Sequence, residues 1–257
     1  MSIDSSKPTN KNTSWPRVTG GVVVGLVALF GSQIIAGMML LIYPLIKHWS
    51  ASQGNSWLSN SIVAQFIFVV LAEAIAVLIV YFYLKKSKIK ISSIGLRKPQ
   101  WSDMAYGLMG LPVWFLTYLI LLNIILQIAP HLNVAEKQQL GFNNVTGFFD
   151  TALTFISLVI LPPIAEEIIF RGLIFTSLRK RLKLWIAMLI TSLLFAAGHL
   201  TEGGSAGPLY IAGIDTFTLS LVLVYLRERT GGLYAGMMTH GLKNFIAFMA
   251  LVALHQL

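Results

Sequence analysis

The sequence contains no cysteine and few charged residues. Of its 257 residues, 11% are Asp, Glu, Lys or Arg and 56% are hydrophobic, whereas a typical soluble domain carries about 25% charged residues. The absence of cysteine excludes a disulfide scaffold, a thiol nucleophile, a zinc finger and an iron–sulfur site. The shortage of charge excludes an ordinary cytosolic enzyme, a disordered chain and a coiled coil. It indicates a chain that lies mostly in lipid.

Long apolar runs fill most of the chain. A helix needs about 20 mostly apolar residues to cross a bilayer. The runs predict seven spans, at residues 19–46, 61–84, 104–129, 148–172, 184–200, 208–226 and 232–255. The predicted fold is all-α, a multi-pass membrane helical bundle of about seven helices, or eight with a further re-entrant segment. Residues 1–17 form a polar tail, and residues 18–257 form one transmembrane domain.

Basic residues flank these runs unequally. Fifteen Lys and Arg fall on one side, and only Lys47 and Lys137 fall on the other. Because cytosolic loops carry an excess of Lys and Arg, the N-terminus and residues 85–103 are predicted to be cytosolic. The net charge of +9 is then a topology signal, and it indicates membrane lipids rather than nucleic acid as a partner. The sequence carries no signal for an oligomeric state.

One predicted span carries two consecutive prolines. Residues 148–182 would be about 50 Å long as a single helix, which is too long for a simple crossing. Leu161-Pro162-Pro163 interrupts this stretch. Because proline lacks the amide N–H that a helix interior requires, we predict a kink or break there, with a second helix running from Ile164 towards Arg181.

Four of the ten acidic residues lie inside predicted spans: Glu73, Glu166, Glu167 and Asp215. A charged side chain at the bilayer centre costs roughly 2.5–3.5 kcal/mol on insertion scales. Such residues are therefore either functional or paired inside the bundle. Arg171 follows Glu167 by four residues, so these two share a helix face and can form a structural ion pair.

Two further polar motifs lie in the C-terminal half. His199 follows Phe195 by four residues at the end of one span, and Asn244 follows His240 by four residues in the last span. The latter two share a helix face. A single histidine at a span end is more often a hydrogen-bonded structural residue than a ligand or catalyst, so neither motif is decisive alone.

The three motifs fall at similar depths in the membrane. At 1.5 Å per residue, Glu166 lies about 20 Å, His199 about 24 Å and His240 about 17 Å from the basic end of its span. We therefore predict that they meet in one polar intramembrane cavity. A carboxylate, two imidazoles and an amide suit hydrolysis, because the carboxylate takes a proton from water and the other groups share the base role, bind a metal or stabilise an oxyanion.

Together the motifs EExxxR at residues 166–171, FxxxH at 195–199 and HxxxN at 240–244 resemble those of a known family. This is the CAAX prenyl protease and bacteriocin-processing family (CPBP, or Abi) of intramembrane endopeptidases. The resemblance covers residues 145–250. It implies an all-helical membrane fold in which Glu166 activates water with the help of His199, while His240 and Asn244 stabilise the oxyanion.

The resemblance also implies residues that support the site, and it raises the question of whether the site binds a metal. Glu167 and Arg171 would orient and support the site. A metal, with Zn²⁺ as the candidate, would be held by His199, His240 and Glu166 if one is bound. The HExxH signature of zinc proteases is absent, so a metal-free Glu/His site stays open.

The implied substrate is a membrane-associated protein or peptide. Family members serve bacteriocin immunity, peptide maturation or CAAX processing, and the short chain with lysine-rich loops favours a bacterial plasma membrane. The alternatives are a scaffold or immunity protein that binds a toxin or receptor without cleaving it, and a transporter. A serine protease would use Ser205 in the G-x-S-x-G of residues 203–207, but a nucleophile elbow needs a strand that this chain lacks.

Overall fold

The computed structural model describes residues 7–8, 10, 14–134, 141–142, 145–200 and 207–253. These residues form helices, and this part of the chain contains no strand. Eight helices follow one another: α1 Trp15–Ile46 with a turn at Leu41, α2 Ala51–Asn60, α3 Ile62–Lys86, α4 Trp101–Ile128, α5 Gly147–Arg179, α6 Leu184–His199, α7 Tyr210–Thr230 and α8 Tyr234–Ala253. A short 3₁₀ helix, Ile91–Ile94, lies between α3 and α4.

The all-helical membrane fold is confirmed. Each of the seven predicted spans coincides with one helix, and five of these helices (α1, α3, α4, α5 and α7) are long and apolar enough to cross a membrane by length and composition. Helix α6 is also apolar but has only 16 residues. The number of crossings therefore stays a prediction.

The short helix α2 is an element that the sequence analysis does not predict. Ser50 caps its start: the Gln53 N–H donates to the Ser50 hydroxyl, and the Ser50 N–H donates to the Gln53 side chain at 2.8 Å. This reciprocal pair is a capping box, which the Ser-x-x-Gln spacing encodes. Ser61 caps α3 by its hydroxyl alone, which accepts from the Ala64 N–H.

The chain divides into two compact units, each assembled from three segments and described here by itself. The first comprises Met1–Val22, Lys90–Gln139 and Phe170–His240, and the second comprises Val23–Ile89, Leu140–Ile169 and Gly241–Leu257. The prediction of one transmembrane domain over residues 18–257 stays a prediction.

In the first unit, α7 packs against both α4 and α6. The start of α8 approaches α4 closely, because a Cβ on Gly107 would lie 2.8 Å from the Met238 Cβ and a Cβ on Gly110 would overlap the Thr239 side chain. The Thr239 hydroxyl donates to the Gly107 carbonyl at 2.8 Å. Small residues in α4 thus fix the helix that carries His240.

In the second unit, α3 packs against residues 147–166 of α5. Two π-helical segments, Ile156–Ile160 and Glu167–Phe175, interrupt the α-helical pattern of α5. Of the kink or break predicted at Pro162 and Pro163, the break is absent, because every residue from Gly147 to Arg179 is helical. A change in hydrogen-bonding pattern takes its place, since a wider turn before the prolines relieves the clash between each ring and the carbonyl four residues earlier.

Candidate active site

In the first unit, the Phe195 ring is the centre of a cluster that gathers three predicted site residues. Phe195 is fully buried. Its ring centroid lies 4.7 Å from that of His199 and 5.8 Å from that of His240. The Arg171 guanidinium carbon lies 4.3 Å from the same centroid. The arginine of the first motif and the histidines of the other two are therefore brought together around one aromatic ring.

The Phe195 cluster orients Arg171 by a cation–π contact. The Phe170 ring packs edge-on against the Phe195 ring at 4.9 Å. Arg171 is fully inaccessible to solvent in the structure, and His240 is 3% exposed. Burial of this kind holds the side chains in one rotamer and leaves little freedom to lose when a substrate binds.

The tautomer of His199 follows from its hydrogen bond. Its Nδ1 lies 2.8 Å from the Phe195 carbonyl oxygen. Because a carbonyl can only accept, Nδ1 must carry the proton and donate. Nε2 is then the nitrogen with the lone pair, which is the form that a general base requires.

In the second unit, the Asn244 side chain hydrogen-bonds to a carbonyl that the proline pair of α5 leaves without a backbone donor. The Asn244 amide donates to the Leu158 carbonyl at 3.0 Å. In an α-helix that carbonyl would accept from residue 162, and in a π-helix from residue 163, but Pro162 and Pro163 have no N–H. Asn244 thus satisfies a carbonyl that both local patterns leave unpaired. Its amide nitrogen carries a second proton, which can serve another acceptor.

The two glutamates also belong to the second unit. Glu166 is the last residue of the α-helical segment Leu161–Glu166, and Glu167 opens the following π-helical segment. Glu167 is fully buried, whereas Glu166 is half-buried. π-helical turns inside α-helices are frequent at functional sites. The convergence of Glu166 with the histidines at one depth stays a prediction.

Exposure separates the predicted site residues into two groups. Those predicted to support the site, Glu167 and Arg171, are fully buried, while Glu166, His199 and Asn244 keep partial access. His240, which is predicted to stabilise the oxyanion, is 3% exposed and falls with the buried group, so burial alone does not assign the roles.

A metal ion would need several ligating side chains close together. Within the described ranges, no three His, Asp or Glu side chains stand close enough to hold one ion. A zinc site usually needs three or four protein ligands. The set predicted for Zn²⁺, His199, His240 and Glu166, draws on both units, and metal binding by these residues stays a prediction.

Two acidic residues outside the motifs differ in their surroundings. The Asp215 carboxylate in α7 accepts a hydrogen bond from the Trp114 indole of α4 at 2.9 Å, a contact that the sequence analysis does not predict. Glu73 lies half-buried near the middle of α3.

Ser205, the residue of the serine protease alternative, lies outside the described residues.

The part of the chain that contains the three motifs is similar to a known protein family. Residues 148–246 match the model of a family described as type II CAAX prenyl endopeptidase Rce1-like. The match confirms the resemblance carried by the three motifs, all of which lie inside it.

One curated relative is similar to part of the chain. An Escherichia coli protein named "Uncharacterized 24.3 kDa protein" is 34% identical over 93 residues, which cover 35% of this chain and 41% of that protein. The chain thus matches less than half the length of this relative. No solved structure matches the chain.

Proposed function

We propose that this protein is an intramembrane endopeptidase that hydrolyses a peptide bond of a membrane-associated protein or peptide. The observation that carries the proposal is the Rce1-like match over residues 148–246. This segment contains all the residues predicted to carry out hydrolysis: Glu166, His199, His240 and Asn244. The Phe195 cluster supports it further, because it holds His199 in the tautomer that a base requires.

In the proposed reaction, the Glu166 carboxylate takes a proton from water, with the Nε2 lone pair of His199 assisting. The water oxygen then bonds to the scissile carbonyl carbon, and the carbonyl electron pair moves to oxygen. Donors on His240 and Asn244 stabilise this oxyanion. When the oxyanion collapses, the C–N bond breaks and the leaving nitrogen takes the proton that Glu166 received.

Glu167 and Arg171 act in this proposal as positioning residues. Both are fully buried, so they hold neighbouring side chains rather than touch the peptide. No step runs through a metal. The protein would lie in a bacterial plasma membrane with its N-terminus in the cytosol, the side on which fifteen of the seventeen loop-flanking basic residues are predicted to lie. Bacteriocin immunity, peptide maturation and CAAX-like processing are the roles compatible with this chemistry.

Comparative peptidomics of bacterial membranes tests the proposal. Five strains express wild type, Glu166→Gln, His240→Ala, Ser205→Ala and Glu73→Gln at matched levels. We expect a cleavage product present with wild type to vanish with Glu166→Gln and His240→Ala. It should persist with Ser205→Ala and with Glu73→Gln, the matched change of another intramembrane glutamate.

Persistence of every product with Glu166→Gln would overturn the proposal. If the variants are stable and no product depends on the wild-type protein, the scaffold or immunity alternative takes its place. Loss of the product with Ser205→Ala alone would instead favour the serine protease alternative.

A further inference from the structure

A cleft lined by aromatic and uncharged polar residues lies in the second unit, far along the sequence from the Rce1-like region. It forms where α1 ends, α2 runs and α3 begins, and its volume is about 520 Å³, within the range of small-molecule sites. Six uncharged side chains line it: Trp49, Gln53, Ser56, Trp57, Asn60 and Ser61. The opposite end of α3 carries Lys85 and Lys86.

Three aromatic rings cluster at this cleft. The Tyr43 centroid lies 5.6 Å from the Trp49 centroid and 5.0 Å from the Trp57 centroid, and the two tryptophans are 6.0 Å apart. Both tryptophans are half-buried. A rigid aromatic surface of this kind offers apolar area at a low cost in side-chain entropy.

The position of α2, which supplies most of the lining, is fixed along its length. The capping box of Ser50 and Gln53 holds its start. In its middle, Gly54 packs against Pro44, since a Cβ on Gly54 would lie 3.3 Å from the proline ring.

The end of α2 is held by Gln65, a buried residue of α3. Its amide nitrogen donates to the carbonyls of Leu58 at 3.1 Å and Ser59 at 2.7 Å. Its amide oxygen accepts from the Phe142 N–H at 2.6 Å. The cleft is therefore a preformed feature, which favours binding because little freedom is lost when a ligand enters.

The cleft offers hydrogen-bonding groups without charge. Among the described residues, no acceptor pairs with the indole N–H of Trp49 or Trp57 or with the amide N–H groups of Gln53. The Lys47 ammonium lies over the Tyr43 ring, 5.7 Å from its centroid, and it does not line the cleft. No arginine lines the cleft to form paired bonds with a phosphate or carboxylate. These features together suit an uncharged ligand with many hydroxyl groups.

Exposed apolar side chains end α1, four and three residues before Trp49 in the chain. Leu45 is 71% exposed and Ile46 is 68% exposed, and in a membrane-spanning helix such residues contact acyl chains. A ligand that fills the cleft therefore has lipid next to it. A sugar ring has an apolar C–H face to stack on tryptophan and hydroxyls to meet amides, and a glycolipid adds acyl chains.

We propose that this cleft binds the uncharged glycosyl headgroup of a membrane lipid. The headgroup stacks on Trp49 and Trp57 and hydrogen-bonds to Gln53 and Asn60, while the acyl chains lie against Leu45 and Ile46. This site is independent of the proposed peptidase chemistry.

Native mass spectrometry of the full chain in detergent tests the proposal. The protein receives equimolar diglucosyl-diacylglycerol, phosphatidylglycerol and phosphatidylethanolamine. We expect wild type to retain the glycolipid about tenfold better than either phospholipid, a preference equivalent to about 1.4 kcal/mol. Trp57→Ala should abolish the preference, and Trp101→Ala, which removes an exposed tryptophan elsewhere in the chain, should leave it intact.

A second variant guards against misfolding. Gln53→Ala removes hydrogen-bonding groups and keeps the aromatic cluster, so it should weaken the preference about threefold. It also opens the capping box of α2. Ser50→Ala opens the same box without changing the lining of the cleft, so it is the matched control and should leave the preference intact. Equal retention of all three lipids by wild type would overturn the proposal, as would a preference that survives both Trp57→Ala and Gln53→Ala. Free maltose distinguishes a lipid headgroup from a soluble sugar as the ligand. If free maltose binds as tightly as the glycolipid, the proposal of a lipid ligand is overturned in favour of a soluble sugar.

Discussion

Helices α4 and α5 are nearly equal in hydropathy and differ sharply in burial. In the most apolar stretch of α4 only 6% of residues are buried, against 50% in α5 and in α7. Hydropathy therefore finds a span without showing what surrounds it. The difference lies in the polar residues, because α5 buries Glu167 and Arg171 at a cost that only a packed, functional interior can offset.

The first and largest expected effect concerns two phenylalanines. Phe195→Ala removes a fully buried ring that touches two histidines and an arginine, and it should lower the free energy of unfolding by about 3–5 kcal/mol. Phe115→Ala removes a half-exposed ring on α4 and should change it by less than about 0.5 kcal/mol. Thermal unfolding in nanodiscs measures both. Equal losses would remove the contrast between α4 and the buried helices.

The second prediction compares a histidine of the predicted site with a histidine outside it. His199→Gln removes the Nε2 base, so hydrolysis of a substrate identified by peptidomics should fall about 10²–10³-fold in kcat/KM. His131→Gln, at an exposed residue that follows α4, should leave the rate unchanged. A small effect of His199→Gln with an unchanged melting temperature would restrict this histidine to a structural role.

The sequence predicts the features of the fold that depend on residues close together in the chain, and it misses those that depend on distant residues. The seven apolar runs predict the helices, because helix length and hydropathy are local properties. The capping box at Ser50 is equally local, and it could have predicted α2. The indole of Trp114 and the carboxylate of Asp215 lie 101 residues apart, so no local pattern could have paired them.

The site is predictable to a similar degree. The motifs name Arg171, His199 and His240, which the structure gathers around Phe195, although nothing in the spacing gives that ring its central position. The proline pair predicts a kink or break in α5, and no break occurs, because the helix continues through both prolines. The missing N–H groups are compensated from α8 by Asn244, and this compensation depends on tertiary packing.

A third prediction tests α4 at its polar contact. Trp114→Phe keeps an aromatic ring and removes the N–H that donates to Asp215. Because the acceptor is a carboxylate, the free energy of unfolding should fall by about 1.5–3 kcal/mol. Trp101→Phe, at a residue that is 86% exposed, is the matched control and should be neutral. A neutral Trp114→Phe would show that α4 is held by apolar contacts alone.

The smallest expected effect tests the role of Asn244 in the helix that the prolines disturb. Asn244→Ala leaves the Leu158 carbonyl without a donor and should lower the free energy of unfolding by about 1–2 kcal/mol. Adding Pro162→Ala supplies a backbone N–H at position 162, so the double variant should recover most of this loss.

Asn123 on α4 provides the matched control for this cycle. Its amide also donates to a helix carbonyl, that of Leu119, at 2.8 Å, but that carbonyl keeps its ordinary backbone donor. Asn123→Ala should therefore be neutral within about 0.5 kcal/mol. If Asn244→Ala were equally neutral in stability and still abolished hydrolysis, the amide would act on the substrate alone, and the π-helical turn before Pro162 would owe its stability to another contact.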